Sequence, residues 1–180
     1  GKLTRPYFFS ENQVEGVNPH DRLDPQTSAE VIISHVDDGL ELARRHRLPR
    51  RVRAFIPEHH GTNWVSYMYD KAMQLASEPG TIDAKDFHHH GPLPQTKETA
   101  LVMLADGCEA AVRAVRPTSE DEVAEVVNRV YAERMADGQL SECDLTLHDL
   151  ETAREAFISA LKGVFHPRIR YPKAETITNV

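Results

Sequence analysis

The sequence predicts an all-α fold, formed by one domain over residues 1–180. Apolar residues recur three and four positions apart in several segments, the spacing that places them on one face of a helix. These segments begin at side chains that cap helices and end at proline or glycine. No stretch alternates polar and apolar residues as a half-buried strand does. A chain of this length buries roughly 70% of the surface that its unfolded form exposes, which is enough for one core.

The first half of the chain predicts a loop followed by three helices. Prolines and glycine interrupt residues 1–25, which indicates an ordered, packed loop. Apolar residues at helical spacing predict a first helix from Thr27 to about Arg47, ended by the leucine-proline pair that follows. A short helix from Arg51 to Glu58 and a longer one from Thr62 to Ser77 come next. The doublet His59-His60 therefore falls at a junction between helices.

Capping residues mark the helices of the second half. Residues 78–94 form the longest predicted loop, which ends in prolines and is expected to lie over the functional site. Thr96 is the expected N-cap of a strongly apolar helix. Capping boxes begin the last two helices: Ser119 with Glu122 for a helix to about Ala136, and Thr146 with Asp149 for a helix to about Lys162. Residues 172–180 are expected to form a disordered tail.

Composition excludes several classes of function. The chain carries 21 basic and 28 acidic residues, which gives a net charge of −7 and argues against binding to DNA or RNA polymers. Its two cysteines lie in unrelated contexts and indicate neither a disulfide framework nor a cysteine zinc site. No apolar run approaches the ~20 residues that a membrane-spanning helix needs. We therefore expect this chain itself to be soluble and to reside in the reducing cytoplasm.

Four residues from separate segments are the best candidates for chemistry: His35, His59, His60 and Asp106. Imidazole and carboxylate donors from different helices suit a centre of two metal ions about 3.5–4 Å apart. The adjacent histidines point in different directions, which suits one ligand for each ion, or one ligand and one substrate contact. Asp106 interrupts an apolar helical stretch, so a cation should face it. The alternatives are packed or exposed histidines, and an ion pair between Asp106 and a buried arginine.

The remaining histidines have simpler explanations. His20-Asp21 lies in a loop bounded by prolines, and the aspartate of His148-Asp149 serves as a helix cap. The run of three histidines at 88–90 belongs to a polar loop and is expected to be solvated.

The segment 166–172 adds candidates for substrate contact. Arg168 and Tyr171 combine a guanidinium group with an aromatic ring, which suits phosphate pairing and base stacking. The chain contains no glycine-rich phosphate loop, nucleophile elbow or reactive-cysteine context. Covalent catalysis therefore has no candidate nucleophile.

Seven segments together resemble one known family. They are residues 5–13, 18–21, 32–39, 58–62, 94–100, 104–113 and 137–140, with motifs such as Arg-Pro-Tyr-Phe-Phe, Glu-His-His-Gly-Thr and Pro-Gln-Thr-Lys-Glu-Thr-Ala. In this order they resemble the cytoplasmic HD domain of bacterial seven-transmembrane HD phosphodiesterases of the PgpH class. The resemblance covers nearly the whole chain.

The resemblance implies an activity and a set of ligands. Proteins of this class hydrolyse cyclic di-AMP to a linear dinucleotide, with two transition-metal ions held by histidines and aspartates on an all-helical HD fold. His35, His59, His60 and Asp106 match the later metal ligands of the family pattern. Mn²⁺ or Fe²⁺ is the expected metal, because Mg²⁺ prefers oxygen ligands. Lys97, in one of the matching segments, joins the candidates for substrate contact.

The chain departs from the family pattern at two places. In the family, the His-Asp doublet is followed directly by Ile-Gly-Lys, whereas this chain opens at Gly1-Lys2. The resemblance thus places the doublet, the first histidine ligand and the membrane helices upstream, in a parent protein anchored at the cytoplasmic face of the membrane. In this truncated form the HD fold is incomplete and would hold one metal ion or none. The second departure is the histidine run at 88–90, where the family carries an aromatic-basic segment.

Two other functions stay open on the sequence alone. The chain in this form is alternatively a non-catalytic helical module that binds a nucleotide or a partner. It is also compatible with an HD phosphohydrolase that acts on nucleoside triphosphates, alarmones or cyclic di-GMP, because a metal core does not select a substrate. The oligomeric state is open as well, with a homodimer as one candidate.

Overall fold

The structure is a computed structural model that describes residues 1–9, 18–78 and 80–165. Those ranges contain six α-helices and no β-strand, apart from an isolated bridge between Trp64 and His88. The helices are α1 (Pro25–Arg45), α2 (Arg50–Glu58), α3 (Ser66–Leu75), α4 (Lys97–Val115), α5 (Glu120–Ala136) and α6 (Leu147–Phe165). The prediction of an all-α fold is confirmed.

Several predicted features lie outside the described residues. They are Arg168, Tyr171 and the tail at 172–180. Within the described ranges, the helices are too short or too polar to cross a lipid bilayer.

Two helices begin at least two residues away from the predicted position, while α2 begins one residue early, at Arg50. α1 starts two residues early, at a proline, because the Asp24 carboxylate caps it by accepting the N–H of Thr27 at 2.9 Å. α3 starts at Ser66, four residues later than predicted. The backbone before it pairs with the 78–94 loop instead: the N–H of Val65 donates to the carbonyl of Phe87 at 2.8 Å. Tertiary pairing thus overrides the helical pattern of the sequence at this point.

The predicted capping boxes are present with one change of partner. Thr146 and Asp149 exchange bonds as expected, with backbone N–H to side-chain oxygen distances of 3.1 and 2.9 Å. The Ser119 hydroxyl accepts the N–H of Glu122 at 3.2 Å. The Glu122 carboxylate, however, accepts the N–H of Thr118 at 2.6 Å instead of that of Ser119. Both arrangements satisfy backbone donors that a helix leaves free at its start.

The helices pack into two hydrophobic cores, with α2 between them. α4, α5 and α6 surround the first core, while α1 and α3 form the second with Phe87 from the 78–94 loop. The first core contains these buried side chains: Leu104, Cys108, Val112, Val123, Val126, Val127, Val130 and Tyr131. α2 packs on both α1 and α4. The residues that follow α2 therefore lie where the two halves meet.

Two valines on α4 test which face of the helix stabilises the fold. Val112 is fully buried in the first core, whereas Val102 is 39% exposed. Val112→Ala should lower the free energy of unfolding by about 2–3 kcal/mol, because it removes buried methyl groups and leaves a cavity. Val102→Ala should change it by less than about 0.5 kcal/mol, since alanine also has the higher helix propensity. Urea denaturation measures both, and equal losses would contradict this assignment of the core.

Candidate metal centre

Three of the four predicted ligands converge at the junction of α1 and α2. His35 projects from the middle of α1, and His59 and His60 follow the last turn of α2. One donor nitrogen from each ring can be chosen so that all three lie within 4.8 Å of one another. His35 is only 6% exposed, and its ring meets that of Phe9 edge-on at 5.7 Å between centroids. The group is therefore compact, with His35 shielded from water and His59 and His60 partly exposed.

Backbone carbonyls determine which nitrogens of His35 and His59 are available. Nδ1 of His35 donates to the carbonyl of Ile32, and Nδ1 of His59 donates to that of Ile56 at 2.6 Å. A neutral imidazole carries one hydrogen, so Nε2 of each ring keeps its lone pair. The two Nε2 atoms lie 3.4 Å apart. Two lone pairs at this distance cannot bond to each other.

This pair of nitrogens has the geometry of two ligands to one metal ion. Metal–nitrogen bonds of about 2.1 Å place neighbouring imidazole donors about 3.0–3.4 Å apart, and metal-bound histidines typically donate the other N–H to a carbonyl or carboxylate. His35 and His59 meet both conditions. The donor set therefore fits a divalent transition-metal ion.

Burial keeps these imidazoles neutral. Burial is the largest cause that lowers the pKa of His35, of His59 and, most strongly, of His60. The neighbouring histidines lower the pKa of His60 further, because like charges repel. Neutral imidazole is the form that binds metal, so the rings are ready for ligation at neutral pH.

Asp106, the fourth predicted ligand, lies at the edge of the histidine group. Its Oδ2 is 4.0 Å from Nδ1 of His60, and its side chain is 39% exposed. Although Asp106 interrupts an apolar helical stretch, its carboxylate is not buried and opens onto a cavity. A distance of 4.0 Å is too long for a hydrogen bond, so this oxygen remains available as a ligand.

The cavity beside the centre contains groups that the sequence did not single out. Its volume is about 330 Å³, and His35, His60 and Asp106 line it. Lys2 and Arg113 add positive charge to its wall. Arg113 follows Asp106 by seven residues, two helical turns along the same face, so helical spacing could have identified it. The position of Lys2 depends on the packing of the N-terminal segment and has no local signal.

His20 and Lys97 have structural partners. His20, expected in a loop, is buried on the cavity wall, and its Nε2 lies 3.0 Å from the carbonyl oxygen of Phe8. The ammonium group of Lys97 donates to Asp149 at 2.7 Å. Asp149 also caps α6, as predicted, while His148 beside it is exposed.

The expectation for the histidine run at 88–90 is wrong for His89. Its side chain is 6% exposed and stacks on His60, with 4.2 Å between ring centroids and 19° between ring planes. The cause is backbone pairing, since the N–H of His89 donates to the carbonyl of Asn63 at 2.9 Å. Extended backbone alternates its side chains, so His89 points inward while His90 is exposed.

Gln139 fixes the turn that carries the histidine doublet. Its side chain is 4% exposed, accepts the N–H of Thr62 at 3.1 Å and donates to the Thr62 hydroxyl at 2.9 Å. Gly61 lies between His60 and Thr62 in the sequence and has φ +52°. A Cβ at this residue would lie 2.5 Å from Oε1 of Gln139. Only glycine therefore allows this approach. The connection between α5 and α6 thus holds the segment directly after His60.

Comparison with known proteins finds similar proteins and similar solved structures, although no family model matches the chain. Cyclic-di-AMP phosphodiesterase PgpH of Listeria monocytogenes serotype 1/2a (strain 10403S) is 39% identical over 172 residues, which are 96% of this chain. PgpH of Bacillus subtilis (strain 168) is 40% identical over 174 residues, which are 97% of it.

The crystal structure of the L. monocytogenes phosphodiesterase PgpH HD domain superposes with a TM-score of 0.83 at 36% identity, covering 92% of this chain and 76% of that one. The chain belongs to the PgpH HD-domain family. A second structure of that domain, in complex with cyclic di-AMP, has a TM-score of 0.84 at 36% identity and covers 91% of this chain and 75% of that one. The resemblance identified in the sequence is confirmed. This HD domain spans 24% of the length of either PgpH relative.

The buried histidines predict that the HD domain loses stability in mild acid. The folded-state pKa of His60 lies below the unfolded value of about 6.5, so the unfolded chain takes up the proton first. Stability is then full above about pH 6.5 and falls as the pH drops towards the folded pKa, by about 2 kcal/mol for one such group between about pH 7 and 5.

Urea denaturation of the metal-free protein at several pH values measures this loss. His60→Asn should reduce the decline by about 2 kcal/mol, whereas Gln74→Asn, at an exposed site without a titrating side chain, should leave the decline unchanged. A parental pH dependence in His60→Asn would contradict the interpretation.

The contact between Gln139 and Thr62 predicts a second effect. Gln139→Ala should lower the free energy of unfolding by about 1–3 kcal/mol, because it leaves the N–H of Thr62 without its partner. It should also weaken Co²⁺ binding by about 10- to 100-fold, as loss of a supporting contact does at metal sites. Gln74→Ala, at an exposed position of α3, is the control. Unchanged metal affinity in Gln139→Ala would show that the contact serves stability alone.

Proposed function

We propose that the parent protein is a metal-dependent phosphodiesterase that hydrolyses cyclic di-AMP to a linear dinucleotide, and that this HD domain carries part of its active site. The observation that carries the proposal is the pair of Nε2 atoms of His35 and His59, facing each other at 3.4 Å beside His60. Two relatives are named cyclic-di-AMP phosphodiesterases, and one related domain has been crystallised with cyclic di-AMP. The geometry of the histidine donors and the names of these relatives therefore favour the same reaction.

His35, His59 and His60 would together hold one ion, because their donor atoms group within 4.8 Å. The sequence pattern suited separate ions for the two adjacent histidines, and the grouping favours a shared one. Asp106 would hold a second ion together with the His-Asp doublet that the family resemblance places before Gly1. Imidazole and carboxylate donors favour Mn²⁺ or Fe²⁺. Such ions supply a hydroxide nucleophile at neutral pH and stabilise charge on the phosphodiester.

The side chains around the cavity suit an anionic nucleotide. Lys2 and Arg113 lie on the wall that also carries the candidate ligands, and the Arg113 guanidinium pairs with Glu109 at 3.1 Å. Local positive charge is needed here because the chain as a whole has a net charge of −7. Phe8 and Phe9 line the same cavity and offer aromatic surface to a base. Lys97 stays a candidate for substrate contact, though it would first have to leave Asp149.

The N-terminal segment supports a route by which upstream ligands would reach the centre. Gly1 packs so closely on α1 that a Cβ there would overlap the carbonyl oxygen of His35, and Gly39 across from it also lacks a side chain. The backbone leading to Lys2 therefore lies directly beside a candidate ligand. A doublet just before Gly1 would enter the centre from this side. The parent protein would carry its membrane helices further upstream and present this domain to the cytoplasm.

Hydrolysis assays with the parent protein test the proposal. Mn²⁺-loaded protein should convert cyclic di-AMP to the linear dinucleotide, and His59→Ala should lower kcat by at least about 100-fold, since it removes a ligand rather than a supporting contact. His90→Ala, at an exposed position, should keep the parental rate.

Cyclic di-GMP, nucleoside triphosphates and alarmones serve as competing substrates. Faster turnover of one of these would reassign the substrate. Binding of cyclic di-AMP without turnover by the metal-loaded protein would favour the non-catalytic module.

A further inference from the structure

We propose that His89 is an additional metal ligand, so that the chain supplies four imidazoles to the centre instead of three. The inference rests on the metal centre of the proposed function and extends it to a residue outside the family pattern. His89 lies within the run 88–90, where the family resemblance provides no ligand.

The first observation is that the His89 side chain is buried without a polar partner. Only 6% of the residue is exposed, and its Nδ1 has no hydrogen-bond partner among the described residues. Leaving a buried polar atom unpaired costs about 1–3 kcal/mol, so such groups are rare unless they have a use. Apolar residues of similar size would fill this space without that cost. A cation bound at the ring would satisfy the nitrogen.

The second observation is that His89 touches two candidate ligands. Its ring stacks on that of His60 at 4.2 Å and lies edge-on to that of His35 at 6.1 Å, measured between centroids. Two imidazoles bound to one ion have centroids at most about 6.5 Å apart, because each centroid lies about 3.2 Å from the ion. Both distances satisfy this limit. The His89 nitrogens are not in the group of three that lies within 4.8 Å, so binding would draw the ring out of its stack.

The third observation is that the backbone holds His89 in this position. The N–H of His89 donates to Asn63 at 2.9 Å, and Nδ1 of His88 lies 2.9 Å from the carbonyl oxygen of Thr62. Gly91 follows with φ +77°, and a Cβ there would lie 3.3 Å from Cγ2 of Thr62. The segment therefore lies directly along the turn after His60. A rotation of the side chain would then bring His89 to the centre while these backbone contacts stay in place.

Metal titration of the parent protein and two variants tests the inference. His89→Phe keeps an aromatic ring for the stack and removes both nitrogens, while His89→Gln keeps polarity and removes the ring. Each should weaken Co²⁺ binding at least about tenfold and change the visible absorption of bound Co²⁺, which reports ligand number and geometry. His90→Phe, at the exposed neighbouring position, should match the parent protein in both measurements.

The possible outcomes separate this inference from the proposed function. Parental affinity and absorption in either His89 variant would overturn it, and if one variant does not fold, the other decides. If His89→Phe keeps the parental Co²⁺ affinity and absorption while His89→Gln does not, the ring supports His60 by stacking and does not bind metal. A parent protein that binds no Co²⁺ would overturn the metal centre itself, and this inference with it.

Discussion

The centre depends on two hydrogen bonds from histidine rings to the backbone of their own helices. The carbonyls of Ile32 and Ile56 accept the Nδ1 hydrogens of His35 and His59, which leaves two lone pairs facing each other at 3.4 Å. That arrangement is unfavourable in a metal-free protein, because neither nitrogen can donate to the other. The packing of α1 on α2 must hold it in place. The contact between these two helices positions both nitrogens for one ion, and such positioning reduces the cost of binding.

Contacts from distant parts of the chain support this arrangement. α2 has only nine residues and lies between two hydrophobic cores, so its last turn is fixed by neighbours on both sides. Gln139 binds the turn from the α5–α6 side, and the segment from Phe87 to His89 pairs with the backbone next to it. These contacts keep the histidines buried, which lowers the free energy of unfolding of the domain. Burial of apolar side chains in the two cores offsets that loss.

The sequence predicts the helices better than it predicts the centre. Caps such as Thr96 and Thr146 act locally, so the positions of α4 and α6 could be inferred from neighbouring residues alone. The late start of α3 could not, because Val65 pairs with Phe87 far along the chain. The same pairing buries His89 and defeats the expectation of a solvated loop. Chemical type and family order selected His35, His59, His60 and Asp106 as candidate ligands. Helical spacing could have added Arg113, whereas Lys2 reaches the cavity wall only through three-dimensional packing.

The bond between Gln139 and Thr62 joins residues 77 positions apart in the sequence, from the α5–α6 connection to the turn after His60. If the proposed ion binds here, its occupancy and the folding of the α4–α6 half would be linked equilibria, since both draw on the same turn. An ion that binds the native turn stabilises the distant helices. The coupling is reciprocal. If ion binding strengthens the binding of a partner that tightens the packing of α5 and α6, that partner raises the ion affinity of the centre by the same factor. Through the side chain of Gln139, the packing of α5 and α6 would thus affect the affinity of the centre for its ion.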